Sequence, residues 1–291
     1  MEKPTVSLTH LLEGGREQLR GQTGVGLTRH VEEILASGFL AFRSLSGRAR
    51  RFQLDSYLRN AVDCDVPEQG LAVRRPDALM AWLRAYAAAT SSTAGYSQIL
   101  DAATPGQGDK PARSTADRYR RVLESLWLLD PVPAWELGGS QFTRLARSPK
   151  HHLADPALAA RLLGLNEAKL LGTGGGSVGP EGRAVLGSMF ESLATLCIRV
   201  AAQAAEADVG HLRTRDGDHE VDLVVTREDG DILAIEVKAA GAVNDGDTKH
   251  LQWLRKQMGQ RLIDSIIVNT GTAAYRRPDG VGIVPFAPID V

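Results

Sequence analysis

Glu220, Asp222, Glu236 and Lys238 are the residues of this sequence whose types and spacing could do chemistry. They fall in two apolar runs, EVDLVVT and ILAIEVK, separated by Arg227-Glu228-Asp229-Gly230-Asp231. The Asp-Gly pair is a hairpin signal, so the spacing predicts a strand over residues 219–226, a turn, and a strand over residues 232–238. Side chains alternate faces along a strand. Glu236 and Lys238 therefore share one face, Leu233, Ile235 and Val237 share the other and enter a core, and Glu220 and Asp222 lie together on their own strand. Folding the hairpin brings a carboxylate from each strand beside an ammonium. Such a set suits magnesium or manganese, hard cations that take oxygen ligands and need only one or two protein carboxylates. The lysine adds a point charge that can hold an attacking water or offset charge in a phosphate-ester transition state. The alternative for the same residues is a solvated salt-bridge face.

The rest of the chain must position them. It has 291 residues, 43% hydrophobic and 24% charged, with a net charge of −1, which suits two or three globular domains. Without a global basic excess, nucleic-acid binding must rest on local patches. Cys64 and Cys197 are the only cysteines, which implies neither a disulfide framework nor a zinc site and fits a cytoplasmic location. The first residues carry no signal-peptide run and no stretch approaches a membrane span, so no membrane association is expected. No Gly-x-x-x-x-Gly-Lys-[Ser/Thr] loop occurs. Gly21 to Leu27 (GQTGVGL) lacks the lysine, so no ATP binding is expected.

Residues 1–76 read as a helical N-terminal region, with Phe52, Leu54, Tyr57, Leu58 and Val62 at helical spacing. Arg48, Arg50, Arg51 and Arg59 make it locally basic, which reads as a solvated face. Residues 77–148 read as three helices and a hairpin that starts at Trp135, a winged helix-turn-helix. Asp77 caps the first helix in this reading, and Ser114 to Asp117 give an S-x-x-D cap to the third. On that third helix Ala116, Tyr119, Leu123, Leu126 and Trp127 form the expected buried stripe. Arg118, Arg120 and Arg121 are left for the phosphates or bases of DNA. The competing reading is a winged helix that only joins domains. Residues 149–180 form a connector ending in a glycine-rich linker, and His151 and His152 read there as strand or surface residues, not metal ligands. Residues 181–291 form the last domain. A long helix carries Leu186, Met189, Phe190, Leu193, Leu196, Cys197 and Val200 on its core face, followed by the hairpin, a helix over 247–258, a buried strand over 262–269 and a final strand over 282–286. A helix between strands implies a parallel crossover, hence a small mixed α/β sheet.

An aspartate on one strand followed by Glu-x-Lys on the next resembles the PD-(D/E)XK nuclease superfamily. The resemblance implies a multi-domain α/β chain: an N-terminal helical segment and winged helix-turn-helix, then a restriction-endonuclease-like mixed β-sheet flanked by helices. It further implies a magnesium- or manganese-dependent DNA nuclease. Asp222, Glu236 and the backbone carbonyl of Val237 would hold the metal. Glu191, in MFESLA of the preceding helix, would be a weaker or water-mediated ligand, Lys238 would position the attacking water, and Glu220 is the one acid that could replace Asp222. Over residues 30–285 the order STADRYRRVLESLWLL, HHLADPALAARLLG, MFESLA, EVDLVV, IEVKAA is similar to the C-terminal half of a prokaryotic family of AAA-type ATPases, without the ATPase module. Two alternatives to the nuclease follow: a non-catalytic DNA-binding or regulatory protein that uses the nuclease fold as a scaffold, and a partner subunit of a separate ATPase. The partners to be considered are therefore DNA, a second copy of the chain and that ATPase.

Overall fold

A computed structural model describes residues 6–15, 19–103, 112–137, 148–173, 179–214, 217–287 and 289–290. Most of the hairpin expected after Trp135 and the centre of the glycine-rich linker lie outside the described residues. The contacts group the chain into two compact units. One combines residues 31–131 with 150–192. The other combines residues 1–30, 132–149 and 193–291.

The first unit is helical. The helix Gly47–Asn60 runs through a wide π-turn, Ala61–Asp65, into Val66–Glu68. It buries Leu54, Leu58, Ala61 and Val62, whereas Phe52 remains 65% exposed although its spacing predicts burial. The helix Pro76–Ala88 starts with proline at its first position, which suits a residue without an N–H, and Asp77 lies in its first turn instead of capping it. The helix Tyr96–Ala103 and the helix Arg113–Ser125 follow. The S-x-x-D cap does not form, because the last of these helices begins at Arg113 and leaves Ser114 inside it. Ala116, Tyr119 and Leu123 are buried as expected. Trp127 is not: it is 75% exposed at φ +55°, and Leu128 and Leu129 take the core positions instead. The chain then pairs with a later segment, Leu129 against Leu153 and Asp130 N–H on His152 O at 2.9 Å. His151 and His152 are therefore buried residues beside a strand bridge, not surface ones.

The second unit is built on a seven-stranded mixed sheet. Its strands are β2 (Gly21–Gln22), β3 (Asp208–Arg213), β4 (Glu220–Thr226), β5 (Ile232–Lys238), β6 (Leu262–Asn269), β7 (Ala273–Arg276) and β8 (Gly282–Pro285), in the order β2-β7-β8-β6-β5-β4-β3. Two short strands, β1 (Val6–Ser7) and β9 (Ile289–Asp290), pair apart from it. β5, β6 and β8 run parallel, and the helix Lys249–Met258 makes the crossover from β5 to β6. Val224, Ile232, Ala234, Leu251, Leu254 and Ile267 form one core cluster. Leu233, Ile235 and Val237 are buried as alternation predicts, but Ile232 and Ala234 on the opposite face are buried too. The short helix Leu8–Leu12 packs on β5 and β6. A strand covered on both faces reads as a nearly unbroken apolar run, which is what β5 shows.

The helix Pro180–Ala204 has residues in both units. It buries Met189, Phe190, Ala194, Ile198, Ala201 and Ala202, whereas Val200, placed on the core face by its spacing, is 53% exposed. Among the described residues this one helix is long and apolar enough to cross a membrane, with mean hydropathy 1.5 over its apolar window, half of which is buried in the fold. The expectation that no stretch approaches that composition is corrected here.

Candidate metal-binding and nucleic-acid sites

The β4–β5 ladder runs from Thr226 opposite Ile232 to Leu223 opposite Ile235. One residue further, the side chain takes over. The Val237 N–H donates to Asp222 Oδ2 at 2.9 Å in a buried position. On the other flank of β4, Gly210 pairs with Val224 but Leu212 pairs with Val221, so two steps along β3 answer three along β4. That mismatch is a bulge at Asp222 and Leu223. An extra residue bends a strand and re-aims its side chains, here the acid the sequence singled out. Glu220, which alternation places on the face of Asp222, lies two residues before that bulge. Glu220 is half-buried and takes an ion pair from Arg213 Nη1 at 3.1 Å.

Glu236 is 3% exposed and Asp222 8% exposed, both far below what carboxylates usually show. Lys238 Nζ donates to Glu236 Oε2 at 2.9 Å. Burial works against the Lys238 charge, but the carboxylates of Glu236 and Asp222, with Asp247 further off, outweigh it and hold the ammonium above the ordinary lysine range. Lys238 is therefore a fixed cation. Beside it stand two histidines that spacing did not single out. His250 Nδ1 lies 3.4 Å from His219 Nδ1, and the His219 ring stacks on Trp253 at 4.1 Å between centroids. Burial, then His219, Lys249 and Lys238, push the His250 imidazolium below its usual range, and Glu220 pulls the other way.

Glu191 belongs to the helical unit. Lys150 Nζ, with a side chain only 1% exposed, pairs with it at 2.9 Å. Nothing in the sequence announces that partner, 41 residues away. Arg118 and Arg121 are exposed on the helix Arg113–Ser125, and neither has an ion-pair partner among the described residues. Arg120 is engaged within the unit: its guanidinium lies 4.6 Å from the Tyr96 ring centroid and pairs with Glu124 at 3.2 Å.

Among the described residues no group of three or more histidine, cysteine, aspartate or glutamate side chains could hold a metal ion. What Asp222 and Glu236 offer is a pair of carboxylates at the end of a hairpin. That donor set fits a hard divalent cation that keeps most of its water, and it lacks the histidine or cysteine ligands on which zinc sites are built.

Two family models match the chain. Residues 186–289 match a domain of unknown function (DUF4143). That domain is often seen in proteins associated with AAA-type ATPases. Residues 29–169 match a second domain of unknown function (DUF8612). The first match contains Glu191, Asp222, Glu236 and Lys238, and the second contains the helix with Arg118 and Arg121. No curated protein and no solved structure matches the chain.

Proposed function

We propose that the chain is a magnesium- or manganese-dependent phosphodiesterase that acts on DNA, with the PD-(D/E)XK arrangement at the end of its central hairpin. The observation that carries this reading is the buried set itself: two carboxylates on neighbouring strands, Glu236 bonded to the Lys238 ammonium and Asp222 acting on it electrostatically. Burying such charge is costly, and a divalent cation offsets the excess of acid over base. When bound, the cation supplies Lewis-acid polarisation of a phosphate oxygen. Asp222 and Glu236 would hold it, with the Val237 carbonyl as a further ligand. Asp222 is already oriented by the Val237 N–H, so little side-chain freedom is lost on binding. Lys238 stays charged throughout and holds the attacking water, while its ammonium offsets charge that develops on the phosphate. Glu191 is left out of this set, because it belongs to the helical unit and its carboxylate is committed to Lys150. Arg118 and Arg121 are the arginines we assign to nucleic acid, and Arg120 keeps its place against Tyr96.

A second reading, a subunit that serves a separate ATPase, has support from the 186–289 match to a domain found in ATPase-associated proteins. Titration of the intact chain with manganese, run beside a plasmid-nicking assay with magnesium or manganese, separates the two. Nicking that is lost in Asp222→Ala, Glu236→Ala and Lys238→Ala supports the nuclease. A wild-type chain that neither binds the ion nor nicks DNA leaves the scaffold or subunit reading.

A further inference from the structure

Trp127 stands where the fold asks for glycine. The helix Arg113–Ser125 closes with the Leu128 N–H on Leu123 O at 2.9 Å and the Trp127 N–H on Glu124 O at 3.0 Å. These two bonds form the Schellman ending, and the apolar contact that accompanies it is available in Leu128 and Leu123, both buried. In that ending one residue adopts left-handed backbone, usually glycine, because a Cβ there meets the following carbonyl. Trp127 holds φ +55°. A tryptophan strained in this way would be understandable if its ring filled a core, but the residue is 75% exposed. The fold thus gains neither a relaxed turn nor buried area from the indole. Strain of this kind collects at residues that act on something outside the fold.

The neighbours indicate what that is. Arg118 and Arg121 on the same helix are exposed and without an ion-pair partner among the described residues, in contrast to Arg120, which Tyr96 and Glu124 hold. Two exposed guanidinium groups without an ion-pair partner among the described residues thus stand on the helix whose closing turn carries one exposed aromatic ring. A recognition helix in a duplex major groove reads bases with its N-terminal residues. Here the aromatic lies past the C-terminal turn, where the helix dipole favours no anion, so phosphate attraction must come from the arginines. Arginines along a backbone path with a ring on which any base can stack are the parts of a single-strand site.

We propose that Trp127 is a stacking platform for an unpaired nucleobase, with Arg118 and Arg121 taking the phosphates beside it. The proposal rests on the reading that the protein acts on nucleic acid, and it names the form of the substrate: single-stranded or locally unpaired.

The test is fluorescence anisotropy of the intact chain in EDTA, so that no cleavage enters. The probes are a labelled thymidine oligonucleotide and a hairpin duplex of equal length, and the chains are wild type, Trp127→Gly, Trp127→Phe and Arg118→Ala/Arg121→Ala. Loss of one stacked base should weaken single-strand binding about 5- to 100-fold in Trp127→Gly, with Trp127→Phe intermediate. The same Trp127→Gly chain should melt at the wild-type Tm or above it, because glycine suits the left-handed position. The double arginine variant should flatten the slope of log affinity against log salt by roughly one unit or more. Single-strand binding by Trp127→Gly equal to wild type overturns the proposal, as does a loss of affinity accompanied by a lowered Tm. Wild type that binds the duplex as well as the strand, or neither, also overturns it, and a change of oligomeric state in Trp127→Gly assigns the ring to a contact between copies instead. Failure of the cleavage reading shows separately, in the manganese titration and the nicking assay.

Discussion

At Asp222 a side chain does the work of a backbone. Its Oδ2 satisfies the Val237 N–H just past the last ladder pair of β4 and β5. Alanine there would leave a buried donor unsatisfied, at a cost of about 1–3 kcal/mol, whereas asparagine retains an acceptor but not the charge. Asp222→Asn should therefore keep a wild-type urea midpoint and lose manganese binding, while Asp222→Ala loses both. Lys238→Ala should bind manganese at least as tightly as wild type, since the cation that competes for Glu236 is gone, yet nick plasmid about 10²–10³-fold more slowly. A third residue gives the fold a pH dependence. Burial, and less strongly Arg120, push the His151 imidazolium below its usual value of 6.5, against the pull of its bond to Ala94 O at 2.7 Å. A histidine whose folded pKa is depressed contributes its stability above the unfolded value and loses it as pH falls below that value. The urea midpoint should be flat near neutrality and decline below about pH 6.5, less steeply in His151→Phe.

Among the elements, those with a local cause were legible and those set by distant partners were not. The hairpin could be read because its turn is written in residues. Gly230 holds φ +84°, the Arg227 N–H bonds Asp231 O, and the apolar runs stop at the bends. A Cβ on Gly230 would come within 2.1 Å of Arg261 Nη2, whose guanidinium donates to the Gly230 carbonyl at 2.9 Å. Gly230→Ala should accordingly cost about 1–2 kcal/mol in urea denaturation and loosen the turn between the two acid-bearing strands. β6 and the long helix Pro180–Ala204 were legible from their apolar runs in the same way. β3, with Gly210 and His211 in its middle, and the two-residue β2 carry too little pattern to be read as strands; their partners define them. The candidate site divides likewise. Asp222, Glu236 and Lys238 follow from alternation, but the bulge at Asp222 and Leu223 is a matter of register with β3, which itself carries too little pattern to be read. The Schellman ending at Trp127 was hidden because the residue that normally announces it is absent.

For the molecule as a whole, the first consequence concerns nucleotides. The segment Gly21–Leu27 that comes nearest to a phosphate loop has no lysine, and its first two residues form β2 on β7, at the edge of the sheet. Calorimetric titration with Mg-ATP should show no saturable micromolar binding. A second consequence follows from how the units are threaded. The sheet unit borrows residues 1–30 and 132–149 from either side of the helical stretch 31–131. Leu8, Leu11 and Leu12, in the helix that packs on β5 and β6, are buried, and Ala134 pairs beside His211. A gene segment that encodes only the stretch from the long helix onward would lose all of these. A chain cut to begin at the long helix would expose the apolar face of β5 and β6 that Leu8, Leu11 and Leu12 cover, and it should aggregate on expression more than the intact chain does.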